Sequence, residues 1–328
     1  MCIRDRDNTL AFDPDIADLS QEDWLTKLAS AAELHGFFQP LGSKHFAAHV
    51  RRGDTLIVTF ETVQGIRALS EDNEPLGWRL VREHDWSHLL IASDGDTWFR
   101  DRHVYSLFDR MVDDGFFDNF ENVLFYGAGP CGYAAAAFSV AAPGARVVAI
   151  QPQATLDPKI AEWDYRFSDC RRMDFTSRYG YAPLMLDACA HAYVLFDPTE
   201  HLDAMHAALF GCVGATQFRM RNMGDAIQSD MLQMRILMPL LEKAANGSLN
   251  DIDFAKLYRE RRVYPGYLRR VMAALDGDDR PELAYMLARN VTTRMNAPRF
   301  QRRLSELEAK LDPDGVDSKN NADAVHED

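Results

Sequence analysis

Short apolar runs recur along this chain, separated by polar and glycine-bearing turns. Leu56–Phe60, His88–Ser93, Asn122–Tyr126, Arg146–Ile150, Ala192–Phe196 and Thr216–Met220 are each too short for a helix, and most are rich in β-branched or aromatic residues, which predicts buried strands. Helical periodicity fills the gaps. Ser20 stands before Gln-Glu-Asp-Trp, and that stretch closes at Leu34-His35-Gly36, with a cap and acids at one end and glycine at the other. Val104–Asp113 is amphipathic, and Tyr133–Ala142 is alanine-rich up to the break at Pro143-Gly144. A further helix follows Asp197-Pro198 and runs through Leu209. Strands alternating with helices predict an α/β fold: a doubly wound, mostly parallel sheet with helices on both faces. Asp72–Gly77 reads as turn, and residues 152–190 fit the alternation poorly and read as an excursion.

After Gly224 the pattern turns wholly helical. Ala226–Ala245 reads as one long helix kinked at Pro239. Helical pieces follow at Asp251–Arg262, Gly266–Leu275, Pro281–Thr293 and Pro298–Leu311. The organisation expected is a domain over 7–247, a helical C-terminal segment over 248–311, and an acidic, disordered tail over 312–328 with six acids and one lysine. Residues 1–6, Met-Cys-Ile-Arg-Asp-Arg, resemble a translated sequencing adapter and are set aside from the fold.

Charge narrows the function classes. With 36 basic and 50 acidic residues among 328, the net charge of −14 argues against sequence-independent nucleic-acid binding and against anionic membrane surfaces. No apolar run is long enough to span a bilayer. The five cysteines form no CxxC pair and read as reduced thiols, which points to a cytoplasmic protein. Arg259–Arg303 reverses the sign locally, with eleven arginines against five acids. These read mainly as exposed helix faces, and a surface for an acidic protein partner is the alternative.

The most informative segment is Val123-Leu-Phe-Tyr-Gly127-Ala-Gly129-Pro-Cys131-Gly132-Tyr133-Ala-Ala. Gly127, Gly129 and Gly132 fit G-x-G-x-x-G between a strand and a helix, the fingerprint of dinucleotide binding. That reading implies a nucleotide-dependent oxidoreductase. It lacks the acid expected after the next strand, because Ile150 is followed by Gln151. The second reading is a nucleophile elbow, a strained strand-to-helix turn flanked by small residues.

Asn122–Leu156 resembles a bacterial branch of α/β-hydrolase-like proteins associated with surface polysaccharide. There a strand is followed by Gly-x-Ser-x-Gly-Gly-Tyr-Ala, a short helix, a strand and a Pro-Gln-Thr-like loop. Tyr193–Asp197 resembles the strand bearing the triad acid, and Met223-Gly224-Asp225 falls where the family has Gly-His. The resemblance covers about Leu56–Gly247. It places Gly129 at the nucleophile, Asp225 at the histidine and Asp197 at the acid, so the hydrolytic set is incomplete. Over its full length the chain also resembles alphaproteobacterial proteins labelled phosphoadenosine phosphosulfate reductases. It contains neither the Ser-Gly-Gly-x-Asp-Ser loop nor the Glu-Cys-Gly-Leu-His cysteine motif of true reductases.

The expectation that follows is a non-catalytic or altered hydrolase-like protein holding a small anionic ligand at the strand ends, with no required cofactor. The residues expected there are Gly127, Gly129, Pro130, Cys131, Gly132, Glu61, Thr62, Asp197 and Asp225, with backbone N–H groups after Gly129 forming an anion hole. Cys131, Asp197 and His206 are the reactive side chains left to consider, and the helix start should lower the Cys131 pKa. His201 and His206 otherwise read as ordinary core or surface histidines. His45 and His49 share the i, i+4 spacing of ligands on a helix but lack a third ligand nearby, so no metal site is assigned. Trp163-Asp164-Tyr-Arg166-Phe167 reads as an ion pair anchoring the excursion, the Met231, Met234, Met238 series as core, and Asp94-Gly-Asp96 as no calcium loop.

Overall fold

A computed structural model of the chain describes residues 12–70 and 72–311; the adapter-like start and the acidic tail lie outside the described residues. The chain divides into two compact units. One holds the chain up to Arg221 together with Asp225–Leu257, and the other Asn222–Gly224 with the chain from Tyr258 onward.

The first unit is built on eight strands: β1 (Gly36–Leu41), β2 (His45–Val50), β3 (Thr55–Thr62), β4 (Ser87–Ser93), β5 (Asn122–Ala128), β6 (Arg146–Ile150), β7 (His191–Phe196) and β8 (Thr216–Arg219). They form one sheet in the order β1-β2-β4-β3-β5-β6-β7-β8. β2 runs antiparallel to both neighbours, and every pair from β4 through β8 is parallel. Its helices are α1 (Gln21–His35), α2 (Val63–Leu69), α3 (Leu76–His84), α4 (Arg102–Asp113), α5 (Pro130–Phe138), the single turn α6 (Pro158–Ala161), α7 (His201–Gly211), α8 (Ile227–Gln233), α9 (Leu237–Ala245) and α10 (Asp251–Leu257). This is the doubly wound, mostly parallel sheet that the alternation of apolar runs and helices predicts, and it is of the α/β-hydrolase type that the resemblance implies.

Both faces of the sheet are covered, which is why the central strands read as continuous apolar runs. On one face Val58, Phe60, Phe125, Val147 and Val194 pack with Phe108 and Phe138. On the other, Trp24, Leu28, Trp78 and Ile66 cover Ala48, Val50 and Leu90, and α9 lies over β5 and β6.

Three local expectations change. The first hairpin was not legible as strands: Pro40 sits in β1, where an edge strand tolerates a residue without an N–H. His45 and His49 consequently lie on β2, not on a helix, and both are buried. Asp72–Gly77 is turn only in part, since α3 begins at Leu76. The long helix over 226–245 is two helices: Arg235 takes φ +58° between α8 and α9, and Pro239 lies in the first turn of α9. Proline lacks only a donor that the first turn leaves unused, so the break precedes it. The excursion between β6 and β7 is irregular, with α6 and two stretches of tight 3₁₀ turn at Tyr165–Arg172 and Ala182–Ala188.

The second unit holds α11 (Pro265–Gly277), α12 (Pro281–Arg294) and α13 (Pro298–Leu311), each with proline at its first position. Leu268, Met272, Ala284, Ala288, Val291, Phe300 and Leu307 form its core. Many of its arginines are exposed, including Arg259, Arg262, Arg269 and Arg289. Arg303 pairs with Asp276 and Glu306.

The strand-to-helix turn sets a testable limit. A Cβ at Gly127 would stand 2.1 Å from the Cys131 carbonyl oxygen, a backbone atom that cannot swing away. Gly127→Ala is expected to lower stability by about 2 kcal/mol or more, as overpacking against backbone does. Denaturant unfolding of the variant against the parent measures this.

Candidate functional site

The turn between β5 and α5 is sharp and left-handed. Gly129 takes φ +57° and ψ −126° as the N-cap of α5, and Pro130 occupies the first helical position. A Cβ at Gly129 would meet nothing within 4 Å, whereas one at Gly132 would stand 3.1 Å from the Ile150 carbonyl. Gly127 and Gly132 are therefore glycines for close packing of strand and helix, while Gly129 faces open space. The geometry is that of a nucleophile elbow, with no side chain where the nucleophile would stand.

The donors for an oxyanion are also altered. In an elbow the residue after the nucleophile supplies a backbone N–H. Here that residue is Pro130, which has none. The Gly129 N–H is already given to the Ile150 carbonyl at 2.8 Å. The anion hole expected from the sequence thus lacks its first donor.

Beside the turn lies a cavity of about 330 Å³, with Gly129, Pro130, Gln151, Gln153, Arg166 and Asp225 among its lining residues. Arg166 bridges two carboxylates, meeting Asp164 at 2.8 Å and Asp203 at 2.7 Å. Asp203 also accepts from the Gln151 amide at 2.8 Å. Behind this pair His206 is fully buried: its Nδ1 accepts from the Ala154 N–H at 3.1 Å, which leaves Nε2–H to donate to Asp164 at 3.0 Å. Burial pushes the Asp164 carboxyl up, but hydrogen bonds from His206 and Arg166 outweigh it and hold it well below the usual range. The Trp163–Phe167 segment is therefore the ion-paired anchor of the excursion, and Arg166 is also a wall of the cavity.

Acid predominates here. Burial, with Asp197, Asp203 and Asp225 nearby, raises the Glu200 carboxyl. A single guanidinium, already held by two carboxylates, faces Asp203 and the exposed Asp225. The Gln153 Oε1 is buried and, among the described residues, has no hydrogen-bond partner.

Of the residues expected at the site, Gly129, Pro130 and Asp225 line this cavity; Gly127, Cys131, Gly132, Glu61, Thr62 and Asp197 do not. Asp197, at the end of β7, is fully buried and turns back on itself, accepting from the Thr199 N–H and hydroxyl at 2.8 and 2.6 Å. Thr62 caps α2 through the Gly65 N–H at 2.9 Å. Burial, reinforced by Glu61 and Asp96, drives the Cys131 thiol up rather than down, because desolvation of a thiolate outweighs the helix start. His206 is a core histidine with both nitrogens engaged.

Glu61 lines a different cavity, described further below. His45 contacts Thr97 at 2.7 Å, and among the described residues no group of three His, Cys, Asp or Glu side chains has metal-holding geometry. The residues that sequence reasoning missed are Gln151, Gln153, Arg166, Asp203 and Gln228. The Gln151-Pro-Gln-Ala-Thr loop was the one available signal, since it follows a strand end directly.

No family model and no curated protein matches the sequence. Several solved structures are similar to it. Carboxyl esterase 2 of Tuber melanosporum is 13% identical with a TM-score of 0.42, covering 63% of this chain and 84% of that one. EstE1, a thermophilic carboxylesterase cloned from a metagenomic library, is 13% identical with a TM-score of 0.40, covering 74% and 98%. The glycosylation-associated Gap123 complex of Streptococcus agalactiae is 12% identical with a TM-score of 0.41, covering 64% and 45%. The α/β-hydrolase-like character of the core is read from this chain's own strand order and elbow. Among the described residues no helix is long and apolar enough to cross a membrane.

Two outcomes follow. Removing Arg166 leaves Asp164, Asp203 and the buried His206 contact without their common cation. Arg166→Ala is expected to cost about 3 kcal/mol, because a buried ion pair broken on one side leaves an uncompensated charge; thermal melting reads this. Glu61 titrates from an ordinary value of 4.5 to about 7 in the folded protein, chiefly through burial. The folded state therefore binds the extra proton, and that contribution is complete below 4.5 and lost as pH rises through 7. Glu61→Gln should gain in melting temperature relative to the parent at pH 8 but not at pH 4.

Proposed function

We propose that this protein is a non-catalytic α/β-hydrolase-like protein that holds a small polar ligand in the cavity beside Gly129. The observation that carries the reading is the pair Gly129-Pro130. It keeps the left-handed elbow while removing both the nucleophile and the backbone donor that would stabilise an oxyanion. Asp225, exposed on the cavity wall, stands at the position that the resemblance gives to the histidine, and a carboxylate does not supply an imidazole there. The sequence contains neither the phosphate-loop motif nor the active-cysteine motif of phosphoadenosine phosphosulfate reductases, so no motif supports that reaction as the alternative.

The lining chooses among ligands. An anion would meet carboxylates and lack the Pro130 donor. A neutral ligand bearing hydroxyl groups would donate to the buried Gln153 Oε1 and meet the amides of Gln151 and Gln228. We therefore favour a polyol or sugar over the anionic ligand that the turn suggests by itself.

The protein should neither hydrolyse short acyl esters above buffer rate nor react with a fluorophosphonate probe. Gly129→Ser combined with Asp225→His should stay inactive, and only the further change Pro130→Ala supplies an N–H after the new serine. Turnover by the parent protein would refute the reading. A monosaccharide panel read by thermal shift tests the ligand class. Stabilisation lost in Gln153→Leu is the expected result, and stabilisation by sulfate or by a dinucleotide instead would reverse the choice.

A further inference from the structure

The second cavity of the first unit has a different chemistry. It is about 420 Å³ in volume and lies between the end of β3, the end of α2 with the start of α3, and the α8–α9 break. Ile66, Leu69, Leu76, Leu232 and Met238 give it apolar walls. Half of the charged groups lining it are held in ion pairs. Arg82 holds Glu74 through two bonds of 2.9 and 2.5 Å, and Arg79 holds Glu83 at 2.8 Å. Glu61, Asp72 and the exposed Arg235 are the other charged groups lining it.

Glu61 is the built feature of this wall. Its Oε1 accepts from the Thr59 hydroxyl at 2.7 Å, and its Oε2 from the Leu76 N–H at 3.3 Å. Thr59, fully buried on β3, contacts His88 Nε2 on β4 at 2.8 Å. With its single proton given to Glu61, Thr59 must accept from His88 Nε2–H, which leaves His88 Nδ1 as the buried, unpartnered nitrogen. These contacts fix the carboxyl in place but supply no cation. Tyr126 on β5 and Cys131 on α5 also face it, and its charge adds to the burial that raises both, so they stay neutral. His88, buried beside it, is pushed down to about 3 and is neutral as well. Among the described residues no ion pair is made by this half-buried carboxylate, which has neutral groups behind it and an apolar-walled space before it.

We propose that this cavity binds a small organic ammonium with an apolar body, its cation on Glu61 and its hydrocarbon against Leu76, Leu232 and Met238. The site is independent of the reading given to the Gly129 cavity, although Leu69 and Gln228 border both.

Cyclohexylammonium tests the proposal, with cyclohexanol and cyclohexanecarboxylate as controls, by calorimetric titration at pH 6 and pH 8. The amine stays charged throughout, as a lysine would. Glu61, with a folded pKa of about 7, is ionised in about a tenth of molecules at pH 6 and about nine tenths at pH 8. Affinity for the amine should therefore rise about tenfold between the two, with neither control binding. Glu61→Gln should remove the rise. Leu232→Trp should block binding with Glu61 intact, which keeps the test decisive if Glu61→Gln folds poorly. Gly129→Ser should leave amine binding unchanged, separating this site from the neighbouring one. Absent amine binding at pH 8, binding indifferent to pH, or tighter binding of the carboxylate would each overturn the proposal.

Discussion

The close approach of β5 to the start of α5 is the constraint on which the rest of the first unit depends. Gly127 leaves no space for a β-carbon beneath the Cys131 carbonyl, and Gly132 packs against the Ile150 carbonyl of the next strand. A strand can then turn into a helix within one residue, and Gly129 supplies the left-handed φ that this requires. The turn delivers its residue to the end of the sheet, where β6 and β7 also end. Open α/β sheets collect their ligands at that edge. What the turn positions, and what it lacks, therefore decides what this fold can do.

Two readings of one glycine pattern meet at this turn, and packing separates its parts. Gly127 and Gly132 serve close packing of strand and helix, a need that both readings share. Gly129 alone looks out on empty space. Pro130, next in the chain, carries no backbone N–H, and the residue after β6, Gln151, donates its amide to Asp203. The non-catalytic reading proposed above rests on this: the strand-to-helix turn is present, with Gly129 at its apex and Pro130 after it.

Charge is distributed by the same logic. Around the elbow, Arg166 is enclosed by Asp164 and Asp203, and Asp164 also accepts from His206, so the excursion after β6 is tied to α7 by one buried network. That network stabilises a wall rather than presenting a free cation. On the other side of Leu69, Glu61 has hydrogen bonds and, among the described residues, no ion pair. A carboxyl fixed this way is costly to ionise and gains most from a cation brought by a ligand. The two cavities are neighbours with opposite demands.

Local pattern determined much of this protein. The six longer apolar runs became strands, the cap at Ser20 and the glycine at 36 bounded their helix, and the glycine turn announced the strand-to-helix corner at Gly129. The fold class followed because alternation of strands and helices admits few arrangements. The first hairpin escaped, since Pro40 and the paired histidines obscure its period, and the edge position that permits them is a property of the assembled sheet. The break before Pro239 escaped because proline marks a helix end only where its missing donor is needed. The site residues Gln151, Gln153, Arg166 and Asp203 carry no motif. They meet only because the strand ends, the excursion and α7 converge in space. The Glu61 environment and the raised Cys131 thiol are likewise products of burial, which depends on which chain segments cover a residue and not on its neighbours along the chain.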